Sequence, residues 1–270
     1  MALLERYGEE RNQLLRLISE LLEKDPGVAA AWLFGSLGRG DEDALSDLDL
    51  WVIVDEAPLA EIIAGPQAYV SQIGPPILYL EAPQNAPEGG AYVMACYDAP
   101  VAPHIVDWYW QPRSRAHITG QVQLLFDRAG LPRQDQPVRF PGLPANKEIV
   151  ERPIHFISFF WMMLMITAKH AYRSPWAEQM ELLPYLLDPL AKTQRLLGYD
   201  QALQAENISA RPSPGEKMRL LYQLANQMKE LMADLAKQGE EVPALITPGA
   251  YRYLDLINGI MAGTASGGQD

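Results

Sequence analysis

The sequence predicts an α/β (or α+β) domain followed by an all-α helical bundle. Six short apolar runs with strand character fill the first half, separated by clusters of Gly, Pro and Asn. A Pro-rich stretch then interrupts the periodicity, and beyond it four segments carry apolar residues at helical spacing. The expected boundaries are 1–127 for the first domain, 128–153 for an extended linker and 154–270 for the helical domain.

Taken in order, Leu14, Leu15, Ile18, Leu21 and Leu22 recur at helical spacing and Asp25-Pro26-Gly27 supplies the stop, so an amphipathic helix opens the chain. Strands are expected at 28–34, 48–54, 77–81, 91–97, 103–110 and 121–126, with a helix over 59–73 between the second and third. The composition of 128–153, "RAGLPRQDQPVRFPGLPANKEIVERP", suits an extended linker. Helices are expected at 154–173, 176–197, 215–238 and 248–261, and Pro184 and Pro189 must break or kink the second. The last residues, 266–270, are expected to fray.

At 270 residues, 48% hydrophobic and 21% charged, the chain reads as an ordinary globular protein with room for substantial cores. Its one cysteine, Cys96, can form no internal disulfide, and the opening MALLE has neither the basic nor the apolar part of a signal peptide. The cytoplasm is therefore the expected location. The most membrane-like stretch, 154–168, is 15 residues long and contains His155 and Ser158. A bilayer crossing takes about 20 residues, so the stretch reads as a core helix and no membrane partner is expected. A net charge of −12 opposes binding to phosphate backbones, which excludes nucleic acid as the expected partner.

The chemistry concentrates in "WLFGSLGRGDEDALSDLDLWVIV", residues 32–54. Burying an unpaired carboxylate is costly, so Asp47 and Asp49 in so apolar a run need something to neutralise them. Two residues apart on a strand, they project from the same face and can clamp a divalent metal. Gly35 and Ser36 follow an apolar strand, where backbone N–H groups and a hydroxyl can hold phosphate oxygens. Asp107 stands among apolar and aromatic residues of a later strand and needs a partner for the same reason as the first two. The four histidines, His104, His117, His155 and His170, lack metal-ligand spacing and read as packing or surface residues.

Phe34-Gly35-Ser36, ten residues, then Asp47-Leu48-Asp49-Leu50 resembles the pattern of the DNA polymerase β-like nucleotidyltransferase superfamily. The form "GSLGRGDEDALSDLDL" is most similar to the bacterial antibiotic-modifying, aminoglycoside-type enzymes that act on small molecules. The resemblance covers about residues 28–127 well and the C-terminal half only loosely. It implies a nucleotidyltransferase domain with a mixed sheet, and a third carboxylate at Asp107. It also implies two Mg²⁺ ions held by Asp47, Asp49 and Asp107, the three catalytic residues, with ATP as substrate. Gly35, Ser36 and Arg39 would bind the nucleotide, as would Lys169 in "TAKHAYRSPW", which resembles the helix that brings a lysine to the phosphates in the small-molecule enzymes. A solvated helix face is the plain alternative for Lys169.

The implied reaction moves AMP, or another nucleoside monophosphate, from an NTP to a hydroxyl of a small molecule and releases pyrophosphate. An acidic chain suits a cationic acceptor such as an aminoglycoside. Two alternatives stay open from the sequence: a nucleotidyltransferase acting on a protein, and a nucleotide-binding protein without turnover.

Overall fold

The computed structural model describes residues 3–142, 152–173, 181–199 and 212–266. The chain divides into two compact units, Met1–Ala99 with His104–Ile149, and Pro100–Pro103 with Val150–Asp270.

The first unit is an α/β region built on a mixed sheet. Helix α1 (Leu3–Lys24) leads into β1 (Val28–Leu33), the short α2 (Gly35–Arg39), β2 (Leu48–Val54), α3 (Glu56–Ala64) and α4 (Pro66–Val70). Strands β3 (Leu78–Glu81), β4 (Ala91–Tyr97), β5 (His104–Pro112) and β6 (Gln123–Asp127) complete it. The six strands lie in the order β3-β4-β5-β2-β1-β6. Only β2 and β5 run parallel; the other neighbours are antiparallel.

Strand alternation divides this sheet into a core face and a chemical face. Leu48, Leu50, Val52 and Val54 of β2 join Val106, Trp108 and Trp110 of β5 in one buried cluster, covered by Ile18 and Leu22 of α1, Leu59 and Ile62 of α3 and Tyr69 of α4. Each fully buried Leu or Val there contributes about 1.5–3 kcal/mol. The intervening residues of the same two strands, Asp49, Trp51, Asp107 and Tyr109, therefore project from the opposite face. There Trp32, Trp51 and Ile53 form a smaller cluster with Phe34 and Tyr109.

Two local features depart from the sequence expectation. The single helix expected over 59–73 is broken into α3, α4 and a 3₁₀ turn at Ser71–Ile73, because Gly65 intervenes and Pro66, lacking an N–H, starts the second helix. Residues 128–142 form no helix or strand, as their prolines favour, yet they are packed as part of the first unit. Leu131 and Val138 lie on the Trp32–Trp51 cluster, Ile118 exchanges backbone bonds with Pro132 and Gln134, and the Glu88 N–H donates to the Arg139 carbonyl. The strand-ending turn at Asp127 is closed by its own carboxylate, which accepts from the N–H groups of Ala129, Gly130 and Leu131. The remainder of the expected linker, 143–151, lies outside the described residues.

The second unit is helical: α5 (Pro153–Arg173), α6 (Pro184–Leu196), α7 (Pro214–Lys237) and α8 (Ile246–Ser266). At 21 residues α5 is long and apolar enough to cross a membrane by composition. It packs against α6, α7 and α8, with Phe160, Trp161, Met162, Leu164 and Met165 fully buried, which makes it the core helix of this unit. Pro184 opens α6 and Pro189 lies inside it. Helix α7 starts on a capping box in which Ser213 and Glu216 satisfy each other's backbone N–H groups. Residues 176–180 of the expected second helix and 267–270 of the expected tail fall outside the described residues.

Candidate active site

The site grows from the end of β1. Pairing with β2 continues one step past the strand, with the Phe34 N–H donating to the Asp49 carbonyl at 3.0 Å. The chain then turns sharply at Gly35, whose φ is 63°. A Cβ there would lie 2.0 Å from Oδ2 of Asp49, so the backbone of the turn is pressed directly against that carboxylate. Only glycine meets both demands. Ser36 follows, half-buried, at the start of α2. Gly38 holds this short helix down, since a Cβ on it would come within 2.8 Å of the carbonyl oxygens of Leu33 and Gln121.

Asp49 and Asp107 occupy facing register positions on the parallel pair β2 and β5. Neighbouring strands lie roughly 4.8 Å apart, so the two carboxylates stand side by side on the chemical face. Asp107 is buried at 9% exposure and Asp49 is half-buried. Of the three carboxylates expected at the site, these two are brought together by strand pairing. The third, Asp47, is half-buried two residues upstream, just before β2 begins.

Two tyrosines frame Asp107. The Tyr92 hydroxyl, reaching diagonally from β4, donates to Oδ1 of Asp107. Burial, and then the charge of Asp107, push the Tyr92 phenol far above its ordinary range, so it remains a proton donor. Tyr109 shares a hydrogen bond with Tyr92 and is raised likewise, by burial first and then by the charges of Asp107 and Asp49. Beyond the carboxylates Tyr109 stacks on Trp51 at 5.1 Å, with Phe34 edge-on to both. Trp51 is fixed in turn by donating from Nε1 to Gln111 at 3.0 Å.

Among the described residues, no group of three or more His, Cys, Asp or Glu side chains is gathered as a closed metal cage. Mg²⁺ does not require one, because it keeps several waters and binds through one or two carboxylates together with substrate phosphates. A facing pair of carboxylates beside a glycine turn offers that kind of oxygen donor set, and so fits the ion. Arg39 is exposed and paired with Asp41 at 3.1 Å. Lys169 belongs to the second unit, on α5, and is buried at 6% exposure, so the solvated helix face does not describe it.

Comparison with known proteins bears on the same segment. Residues 16–69 match the family model Polymerase beta, Nucleotidyltransferase. The match spans β1, the Gly35-Ser36 turn and the Asp47/Asp49 pair, and supports a polymerase β-like nucleotidyltransferase region in this part of the chain. No curated protein matches the sequence. Among solved structures, the chain is similar to the STING-associated CdnE c-di-GMP synthase from Capnocytophaga granulosa. The identity is 12%, over 97% of this chain and 83% of that one, with a TM-score of 0.29, a superposition too loose to transfer residues or chemistry.

Sequence reasoning missed Tyr92 and Arg11. Tyr92 carries no local signal, because its bond to Asp107 depends on how β4 pairs with β5. Replacing it by Phe removes one hydrogen bond to a charged group, an interaction of about 1.5–3 kcal/mol. The expected result of Tyr92→Phe is a fall in kcat of roughly tenfold or more with little change in nucleotide KM, checked by steady-state kinetics. Unchanged kcat would mean that Asp107 needs no such support.

Proposed function

We propose that the protein is a Mg²⁺-dependent nucleotidyltransferase that moves a nucleoside monophosphate from an NTP, with ATP the first donor to test, to a hydroxyl of a small molecule. The observation that carries this reading is the facing pair Asp49 and Asp107 with the Gly35 turn pressed onto Asp49. The family match over residues 16–69 supports the nucleotidyl-transfer part of it.

In this reading Asp49 and Asp107, with Asp47, would hold the metal. Bound Mg²⁺ would neutralise phosphate charge and lower the pKa of the attacking hydroxyl. The chain's own residues do the rest. Backbone N–H groups at Gly35 and Ser36, with the Ser36 hydroxyl, hold the phosphates of the donor. Arg39 adds positive charge for the same phosphates. Asp107, held by Tyr92, takes the proton of the acceptor hydroxyl, and pyrophosphate leaves. With a net charge of −12, a cationic, hydroxyl-rich acceptor of the aminoglycoside kind is the first class to try.

The test incubates the full chain with each NTP and Mg²⁺ or Mn²⁺, alone and with a panel of hydroxylated amines and neutral polyols. Pyrophosphate release is followed and products are weighed by mass spectrometry. The reading expects release that stops on chelation and a product heavier by one nucleoside monophosphate. No release with any NTP and acceptor would overturn it. A mass increase confined to an added partner protein would move the acceptor to another class.

A further inference from the structure

Helix α1 shows a residue that its amphipathic pattern does not explain. Tyr7, Arg11, Ile18 and Leu22 all lie on its buried face, and Arg11 is as enclosed as its apolar neighbours, at 6% exposure. A guanidinium taken out of water costs several kcal/mol unless it is compensated. Burial lowers the pKa of Arg11, and the charges of Glu42, Asp43 and Asp47 together with Tyr7 oppose that shift.

Its compensation lies far along the chain. One terminal nitrogen of Arg11 donates to the carbonyl oxygens of Asp43 at 2.7 Å and Ser46 at 3.4 Å, while Nε and the other terminal nitrogen face Oδ1 of Asn12. The turn it grips is also tied internally. Oδ1 of Asp43 accepts from the Leu45 N–H at 2.8 Å, Oγ of Ser46 accepts from the Asp43 N–H at 3.1 Å, and the Ser46 N–H donates to the Asp43 carbonyl. This knot ends at Ser46, one residue before Asp47, and β2 begins at Leu48. Arg11 ties this turn to α1 through two backbone carbonyls.

We propose that Arg11 is a positioning residue for Asp47, its buried guanidinium clamping the Asp43–Ser46 turn so that the Asp47 carboxylate enters the metal site in one fixed direction. The proposal rests on the nucleotidyltransferase reading in that Asp47 is taken as a metal ligand. A plain structural role, tethering α1 to the sheet, makes a different prediction. If Arg11 acted only as a nearby positive charge, removing it would tighten cation binding. If it positions Asp47, removing it weakens cation binding although the repelling charge has gone. Partners that orient metal ligands are worth about 10–100-fold in affinity.

The experiment measures Mn²⁺ binding to the full chain without nucleotide, by calorimetry or by the loss of the free Mn²⁺ paramagnetic resonance signal. The variants are Arg11→Met, Arg11→Lys, Asp47→Asn and the double variant Arg11→Met with Asp47→Asn. Circular dichroism and thermal unfolding establish that each is folded. Arg11→Lys keeps the charge and most of the stem, and serves where Arg11→Met does not fold. The expected result is 10–100-fold weaker Mn²⁺ binding in the Arg11 variants and no further loss in the double variant beyond Asp47→Asn alone. Unchanged or tighter Mn²⁺ binding in the Arg11 variants, with Asp47→Asn still weakening it, overturns the proposal and leaves the metal site standing. Additive losses, or variants that all fail to fold, make Arg11 a residue of the fold and also overturn it. Absence of Mn²⁺ binding in the parent, or affinity indifferent to Asp47→Asn, overturns the metal-site reading and the proposal with it.

Discussion

Asp49→Asn is expected to lower metal-dependent turnover by about three orders of magnitude while leaving the chain as stable as the parent, or more so. The loss follows from what the ion supplies, several kcal/mol of charge stabilisation in the transition state, at about 1.4 kcal/mol per tenfold in rate. The stability runs the other way. Asp49 and Asp107 face each other on neighbouring strands, and like charges so placed destabilise a sheet by roughly 0.2–1 kcal/mol. Asn has nearly the same shape and removes that repulsion. A residue that lowers stability in the free protein and is needed for turnover is one kept for chemistry. The measurements are pyrophosphate release and thermal unfolding in metal-free buffer. Near-normal turnover, or a clear fall in unfolding temperature, would show that Asp49 serves the fold. The matching Asp107→Asn variant separates the two roles given to that residue. As a metal ligand its loss weakens Mg-ATP binding, whereas as a base its loss spares binding and lowers turnover by about 10²–10⁴.

What the sequence made legible about this region is what local spacing encodes. Gly35 and Ser36 after an apolar run, and two aspartates two residues apart, are patterns that a strand and a turn interpret directly. Asp107 stood out by being a carboxylate in an apolar strand, but its position beside Asp49 comes from the parallel pairing of β2 with β5 across more than fifty residues. No local periodicity carries that pairing. The strand order, which interposes β5 and β2 between β4 and β1, is equally non-local.

Arg11 had a readable signal. It falls on the stripe of Tyr7, Ile18 and Leu22, and a charge on a buried stripe demands a partner. What sequence could not supply was the partner, a pair of backbone carbonyls more than thirty residues away. Gly65-Pro66 is a local break that the apolar spacing on either side obscured. The Pro-rich segment teaches the converse lesson. The Pro-rich composition suits an extended linker rather than a packed element, yet chain without regular structure can still be packed, and Leu131 and Val138 are the anchors that pack 128–142.

Gly35→Ala is expected to be among the most damaging single methyl additions in the first unit, losing both stability and turnover. Two costs combine. A non-glycine residue at φ 63° carries roughly 1–2 kcal/mol of backbone strain. The new Cβ would also stand 2.0 Å from Oδ2 of Asp49, a separation that forces either the turn or the carboxylate to move by more than 1 Å. Overpacking of that kind costs about 1–3 kcal/mol, and a displacement of about 1 Å at reacting groups can cost 10²-fold in rate. Denaturant unfolding and pyrophosphate release measure the two losses. A second variant assigns them: Asp49→Ala removes the clashing carboxylate but keeps a Cβ that Gly35→Ala can tolerate, since the nearest approach becomes 3.4 Å. In the double variant the steric part of the destabilisation is relieved while the backbone strain persists and turnover stays lost, so the two stability effects are less than additive. Strict additivity would mean that the turn and the Asp49 carboxylate are not in contact in solution, and the arrangement that joins the Gly35 turn to the carboxylate pair would have to be abandoned.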